Sequence, residues 1–455
     1  MGLRAFDADF LRFMLSDGAG AMLLERGAND QGLSLRIEWI ELVSHAHERP
    51  VCMYTGLVDK DDPRAGNSWL DYPDIAQAER TGMMRIRQDT RLLPEIIKLG
   101  VEEYLRLLQR ERLRAEEIDH LLCHYSSHFF KGEILALLER TGAMIPERKW
   151  FTNLYTKGNT GAASIFIMLD EALKSGRFHD GETILLMVPE SGRFSVSFAK
   201  LVVVSPDSSR DRPSPAGPRG QVSVSSPATP PKLTDEVGRR LGIELGLVWA
   251  DFERALGRVP IVQRVESGAA TREDYKRLLV NLRQQVMEGA RWIARAASNI
   301  SIDRFPIRSA LIKHAAEEHR DYQMLEGDFI EMGGTREEIT AQPKNIGSEA
   351  LSAFMFHRAS QPDPLDLIGA MFVIEGLGQR KAAHWAELLR RDLRLTAEQT
   401  SFLTYHGKND DTHLDRLNAI IESGVLDARS TDRVVKTAKV VARLYALQLE
   451  EIDHV

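Results

Sequence analysis

Sulfhydryl chemistry is nearly missing from this chain: its 455 residues include two cysteines, Cys52 and Cys123. That excludes a disulfide framework and fits a reducing compartment. Long apolar runs are missing too, since none approaches the length of a membrane span. The first residues, Met1 to Asp7, lack the apolar core of a signal peptide, and Phe6 stands where N-myristoylation requires Ser or Thr. A cytoplasmic protein that does not enter a membrane is therefore expected. There is no excess of positive charge, and a net charge of -7 argues against nucleic-acid binding as the main activity. Repeats of the solenoid kind are absent. What is present is 43% hydrophobic and 27% charged residues, enough to bury a substantial core, over a length that suggests two or three domains.

The domain count follows from a shift in composition. Residues 205–232 are rich in Pro, Ser, Gly and Arg with almost no apolar periodicity, so they cannot bury enough surface to order themselves and read as a linker. The expected organisation is thus 1–204, a linker at 205–232, and 233–455. Before the linker, short Val/Ile/Leu/Met runs alternate with helical patterns. After it, nearly everything has helical periodicity. In the first unit, 14–25 reads as a turn feeding a buried strand, 85–109 and 129–140 as helices, and 118–123 as a strand. Residues 158–164 open another helix, and 183–188 and 194–204 are closing strands. In the second unit, helices are predicted at 235–256, 272–297, 307–332, 348–359, 365–392, 397–405, 414–423 and 433–451.

The motif richest in chemistry is the run from His406 to His413, which places His406, Asp410 and His413 at i, i+4 and i+7. On a helix these share a face. Two imidazoles and a carboxylate suit a redox-active non-heme iron and leave coordination positions for dioxygen. Gly407, Asn409, Asp410, Asp411 and Thr412 are poor helix formers, so the segment is expected to be frayed or distorted until a metal orders it.

Upstream, Glu375 interrupts the apolar run from Ile368 to Leu377. A carboxylate in an apolar helix is costly and needs a partner, and a metal offsets the cost well. A second acidic cluster, from His314 to Asp321, sets Asp321 four residues after Glu317 and three after Glu318, and an earlier helix offers Glu288. Carboxylates and histidines from several helices near a bundle axis are the ingredients of a dinuclear carboxylate site.

Two resemblances give these patterns a context. Asp17-Gly18-Ala19-Gly20-Ala21, His124 after a strand, and Gly158-Asn159-Thr160 followed by Ala162-Ala163-Ser164 resemble the C-terminal half of the ketoacyl-acyl carrier protein synthase III family, a thiolase-fold condensing enzyme. That family uses a His and an Asn to stabilise a thioester oxyanion, roles the resemblance assigns to His124 and Asn159. The family's nucleophilic Cys lies upstream of the matched segment, and neither Cys52 nor Cys123 takes its place. Cys123 reads as a small apolar residue at a strand end. This chain alone is therefore not expected to make a complete condensing enzyme. Half of a thiolase fold also leaves sheet edges and an apolar face uncovered, so a condensing-enzyme partner subunit or a homo-oligomer is expected.

The second unit resembles the heme-oxygenase-like diiron oxidases. The likeness rests on Glu317-Glu318 followed by the stretch from Leu325 to Gly334, on Glu375, and on the spacing of His406, Asp410 and His413. It implies a site of two iron ions, with dioxygen as co-substrate, held by Glu288, Glu318, Glu375, His406, Asp410 and His413. Where the family's acidic helix has a His, this chain has Asp321, which makes the site richer in oxygen and would also suit manganese. His314, one turn before Glu318, is the alternative, and Glu317 stands against Glu318.

The fold expected is an α/β thiolase-like half domain followed by an all-α heme-oxygenase-like helical bundle. The function expected is a diiron oxidase acting on a small-molecule or acyl-carrier-protein-bound substrate. The alternative is an acyl-transferring subunit whose nucleophile half lies elsewhere.

Overall fold

The computed structural model describes residues 10–55, 68–206, 236–422 and 425–454, with side chains throughout except at 408–416, 418 and 422. The chain divides into two compact units, Met1–Ala228 and Thr229–Val455. Most of the expected linker falls in 207–235, outside the described residues. No helix among the described residues is long and apolar enough to cross a membrane.

The first unit is α/β. Its elements are β1 (Ser34–Ser44), β2 (Met53–Thr55), α1 (Ile75–Arg80), β3 (Ile86–Gln88), α2 (Leu93–Gln109), β4 (His120–Cys123), α3 (His128–Arg140), β5 (Trp150–Phe151), α4 (Leu154–Lys157), α5 (Ser164–Lys174), β6 (Thr183–Glu190) and β7 (Ser195–Val204). The main sheet has the order β1-β7-β6-β4-β5. It is mixed: β4 runs parallel to β5 and β6, while β6–β7 and β7–β1 are antiparallel. Every residue of β4 is buried, as expected for a central strand read as a continuous apolar run.

Three readings of this unit need correction. Residues 14–25 do not form a buried strand: Leu15 makes a lone bridge to Asn159, and Leu23 and Leu24 are exposed. Among the described residues no neighbouring strand is there to pair with them. The helix expected at 85–109 starts only at Leu93, where Pro94 fits the first turn, and 86–88 pairs instead as β3 with β2. The longest strand, β1, was not foreseen, because a bulge between Ile37 and Trp39 shifts the phase of its alternation. As a result Ile40 and Leu42 face outward on the sheet's edge strand.

The second unit is all-α, built from α6 (Glu236–Leu256), α7 (Pro260–Ser267), α8 (Arg272–Asn299), α9 (Phe305–Glu318), α10 (Tyr322–Glu331), α11 (Arg336–Ala341), α12 (Ile346–Ala359), α13 (Leu367–Leu377), α14 (Ala383–Leu393), α15 (Ser401–Glu422) and α16 (Ala428–Glu450). One continuous apolar core runs through them. The helix expected at 307–332 is broken by a turn at 319–321 into α9 and α10. The one expected at 365–392 contains a π-helical turn, Gly378–Ala382, between α13 and α14. The two pieces at 397–405 and 414–423 are a single helix, α15, so the backbone of the weak segment is helical throughout.

The bundle is tightened by helices that approach at glycine. A Cβ on Gly369 of α13 would lie 2.1 Å from the Val434 carbonyl oxygen of α16. Gly289 of α8, by contrast, has nothing within 4 Å of such a Cβ. Gly369→Ala is therefore expected to destabilise the helical unit by about 1–3 kcal/mol through overpacking. Gly289→Ala is expected to stabilise it by about 0.5–1 kcal/mol by restricting the unfolded backbone. Opposite shifts of the denaturant midpoint for the two variants check this.

Candidate metal centre

The acidic helix sets the frame. His314 and Glu318 stand one turn apart on α9, and Asp321 follows in the turn that ends it, at the N-cap of α10. Glu375 comes from α13 and His406 from α15. These five side chains form two overlapping groups: His314, Glu318 and Glu375 in one, and Glu318, Asp321 and His406 in the other. Within each group the ligand atoms lie within 4.8 Å of one another. Glu318 belongs to both. The His314 Nε2 lies 3.2 Å from Glu375 Oε1, and His406 Nε2 lies 3.3 Å from Asp321 Oδ2. All except Glu318 are at least nine-tenths buried.

Each contributor is held by local packing. Gly407 allows α15 to press on the π-turn's exit, since a Cβ there would stand 2.5 Å from Ala383 Cβ and 2.7 Å from Ala383 N. This close approach sits beside His406. The Phe402 ring packs against the His406 ring, centroid to centroid 4.4 Å. Asp328, wholly buried on α10, accepts hydrogen bonds from the Ser401 and Phe402 amides at 3.0 and 3.1 Å, so it caps α15. Burial pushes the Asp328 carboxyl up, and those bonds act against it. The helix that begins with Asp321 thereby anchors the helix that carries His406. Neither the cap nor the π-turn was foreseen. Ser401 next to a helix start was a readable signal for the cap, whereas its distant carboxylate partner was not.

The structure places the sequence-derived candidates as follows. His314 and Asp321, weighed as alternatives, both enter, on either side of Glu318 in the chain. Glu318 rather than Glu317 joins the cluster, and Glu317 pairs loosely with Lys313 at 4.0 Å. Glu288 lies in neither group. Its carboxylate is 2.6 Å from Lys344 Nζ and also accepts from the Ser352 hydroxyl, so its charge is already compensated on α8's contact with α12. Asp410 and His413 sit one and two turns beyond His406 on α15, but their side chains lie outside the described residues. His384 pairs with Glu266 at 3.1 Å, and His319 is exposed.

The donor set fits iron. Two imidazoles with three carboxylates, one of them common to both groups, match a non-heme metal pair in an oxygen-rich site, and the same set also suits manganese. Because Glu288 is neutralised elsewhere, Glu288→Gln is expected to leave metal stoichiometry unchanged and to cost only stability. Metal analysis of the purified variant checks this, and a loss of bound iron would restore Glu288 as a ligand.

The first unit carries the other candidates. His124 follows β4, its amide donating to the Met187 carbonyl at 2.9 Å, and burial pushes its imidazole pKa down, towards the neutral form. Asn159 is buried, and its side-chain oxygen accepts from the Gly161 amide at 3.0 Å. Cys123, His124 and Gly158 line one small cavity of about 10 Å³. Burial pushes the Cys123 thiol up to about 12, so it stays protonated at neutral pH and is no nucleophile. Both cysteines are buried. Iodoacetamide at pH 8 is therefore expected to leave both thiols unmodified in the folded chain and to alkylate both in denaturant, with mass spectrometry as the readout.

Comparison with known proteins agrees with this division. Residues 108–194 match the family described as 3-oxoacyl-[acyl-carrier-protein (ACP)] synthase III C terminal, and residues 276–446 match that described as iron-containing redox enzyme. A beta-ketoacyl-[acyl-carrier-protein] synthase III of Prochlorococcus marinus is 27% identical over 183 residues, which are 38% of this chain and 46% of that protein. The corresponding protein of Aquifex aeolicus is 31% identical over 137 residues, 30% of this chain and 42% of that one. The chain thus spans about half the length of the curated relatives it matches. A solved domain of unknown function with a heme oxygenase-like fold, from Shewanella denitrificans, is 19% identical with a TM-score of 0.42, covering 46% of this chain and 89% of that one. The chain is thus a mixed α/β unit whose residues 108–194 are similar to the C-terminal part of the synthase III family, followed by an all-α unit whose residues 276–446 are similar to the iron-containing redox enzyme family.

Proposed function

We propose that the helical unit is a non-heme diiron oxidoreductase that uses dioxygen to oxidise a small-molecule or carrier-bound substrate. The observation that carries this reading is the sharing of Glu318 between two ligand groups, each with its own imidazole. A single-metal site needs no second group, and a structural carboxylate cluster needs no histidines on two different helices. Iron held there by His314, Glu318, Asp321, Glu375 and His406 would supply redox chemistry towards dioxygen.

The protein's own residues do the rest. Glu318 fixes the separation of the two groups. Glu375 and the apolar residues around it on α13 bring a charge to the centre while keeping bulk water away. Asp328 and Gly407 hold α15 against α10 and α14, so that His406 meets Asp321.

The first unit serves, on this reading, to recognise the substrate or its carrier. With Cys123 buried and protonated, acyl transfer by this unit would need a nucleophile from elsewhere. Its exposed Ile40 and Leu42 would be covered by a second copy or by a partner subunit.

Anaerobic loading with ferrous iron tests the proposal. The chain is expected to bind about two irons and His406→Ala about one, while Glu318→Ala loses tight binding at both positions. Oxygen uptake on mixing should follow the fully loaded form alone. Specific binding of fewer irons by the unaltered chain, or full loading in Glu318→Ala, would overturn it.

A further inference from the structure

The helical unit also holds a cavity of about 370 Å³, and none of the five clustered side chains of the metal centre lines it. Its volume is that of a small-molecule site. One face of α8 forms a wall, where Glu273, Arg277, Asn281 and Gln284 follow one another at helical spacing. Phe329 of α10, residues of the connection between α11 and α12, and Ile452 complete it. Asn281, Gln284 and Phe329 are at least nine-tenths buried, whereas Glu273, Arg277 and Glu338 are exposed and form the rim.

Two kinds of group in this cavity lack partners. Asn281 and Gln284 both spend their amide nitrogens on the protein: Asn281 Nδ2 donates to Ser348 Oγ and the Gln448 carbonyl, each at 3.3 Å, and Gln284 Nε2 donates to the Gln342 carbonyl. Their oxygens are left over. Asn281 Oδ1 is buried with no hydrogen-bond partner, and among the described residues nothing donates to Gln284 Oε1. The half-buried Lys276 is the other case: its ammonium lies 5.6 Å from the centre of the Phe329 ring, and no carboxylate among the described residues pairs with it. The remaining charges are engaged, since Arg277 stands 3.8 Å from Glu273 and Glu338 accepts from the Thr335 amide at 2.7 Å.

We infer that this cavity is a second small-molecule site, for a carboxylate that also carries a neutral N–H donor, the chemistry of an N-acylated amino acid. Lys276 answers one negative charge. The two glutamates at the rim repel a second, so a single carboxylate fits better than a polyphosphate. An acceptor left unpaired in a buried place is costly, and a ligand N–H relieves that cost. An amide serves these oxygens better than an ammonium, because an uncharged carboxamide cannot offset the desolvation of a buried charge. Val280, Phe329 and Ile452 supply apolar surface for the acyl group. The inference does not depend on the diiron reading.

Calorimetric titration of the full chain with N-benzoylglycine tests this, beside two probes of the same shape. In O-benzoylglycolate an ester oxygen replaces the N–H; N-benzoylglycinamide lacks the charge. Each titration is run on chelator-treated protein and on anaerobic, ferrous-loaded protein. N-benzoylglycine is expected to bind at one site with a Kd below about 1 mM, equally in both forms. Each of the other probes should bind at least about tenfold more weakly. Lys276→Gln is expected to bring N-benzoylglycine down to the level of the glycinamide with iron content unchanged, and Lys276→Arg to keep most of the affinity. Because Lys276 pairs with no carboxylate, neither change should move the denaturant midpoint.

Absence of saturable N-benzoylglycine binding below about 10 mM overturns the assignment, as does equal binding of the three probes. Undiminished binding in Lys276→Gln places the site elsewhere and overturns it too. Binding confined to the ferrous-loaded form puts the carboxylate on the metal, with the same consequence.

Discussion

A carboxylate in the middle of an apolar helix is the constraint on which the helical unit depends. The rest of α13 is hydrophobic and largely buried, so Glu375 cannot turn to solvent without unwinding the helix that packs α16 and the core. An isolated buried charge there would be intolerable, and the His314 imidazole at 3.2 Å is one compensation the chain provides. Everything else at the centre follows from that pairing. His314 fixes the face of α9, which brings Glu318 one turn later and Asp321 at the turn. Asp321 in turn faces His406, which requires α15 to lie close by.

That closeness is achieved by backbone contacts rather than by long side chains. Gly407 lets α15 touch Ala383, and Gly369 lets α13 touch α16 at the Val434 carbonyl. At both places an alanine would force the helices apart. The capping of α15 by buried Asp328 fixes the sliding coordinate that glycine contacts leave free, since a hydrogen bond to two successive amides specifies position along the axis. A ligand set spread over three helices can hold sub-ångström geometry only when tilt, distance and slide are all fixed.

Much of this was legible in the sequence, and the rest was not for definable reasons. The two units and their classes showed in composition and period. Glu375 stood out because one carboxylate in an apolar run breaks a local rule, and such breaks concentrate at functional sites. The choice between His314 and Asp321 was unreadable because helical spacing puts both on Glu318's face and says nothing of how many converge. Glu288 shows the opposite case. Its own helix looked suitable, but Lys344 and Ser352, more than fifty residues away in sequence, take up its charge. In the first unit the bulge in β1 erased the alternation that would have revealed the strand. The continuity of α15 through Gly407 and Asn409 was hidden because both are weak helix formers.

The two units divide the chemistry in a way that follows from protonation. In the first, burial raises the Cys123 thiol and depresses the neighbouring His124, so both are driven to their neutral forms. A neutral thiol and a neutral imidazole in a small cavity can pack and hydrogen-bond, but they form no thiolate–imidazolium pair for attack on a thioester. In the second, Glu375 faces His314 and Asp321 faces His406, an arrangement that offers lone pairs inward. The first unit also carries outward apolar residues, Ile40 and Leu42, on its edge strand.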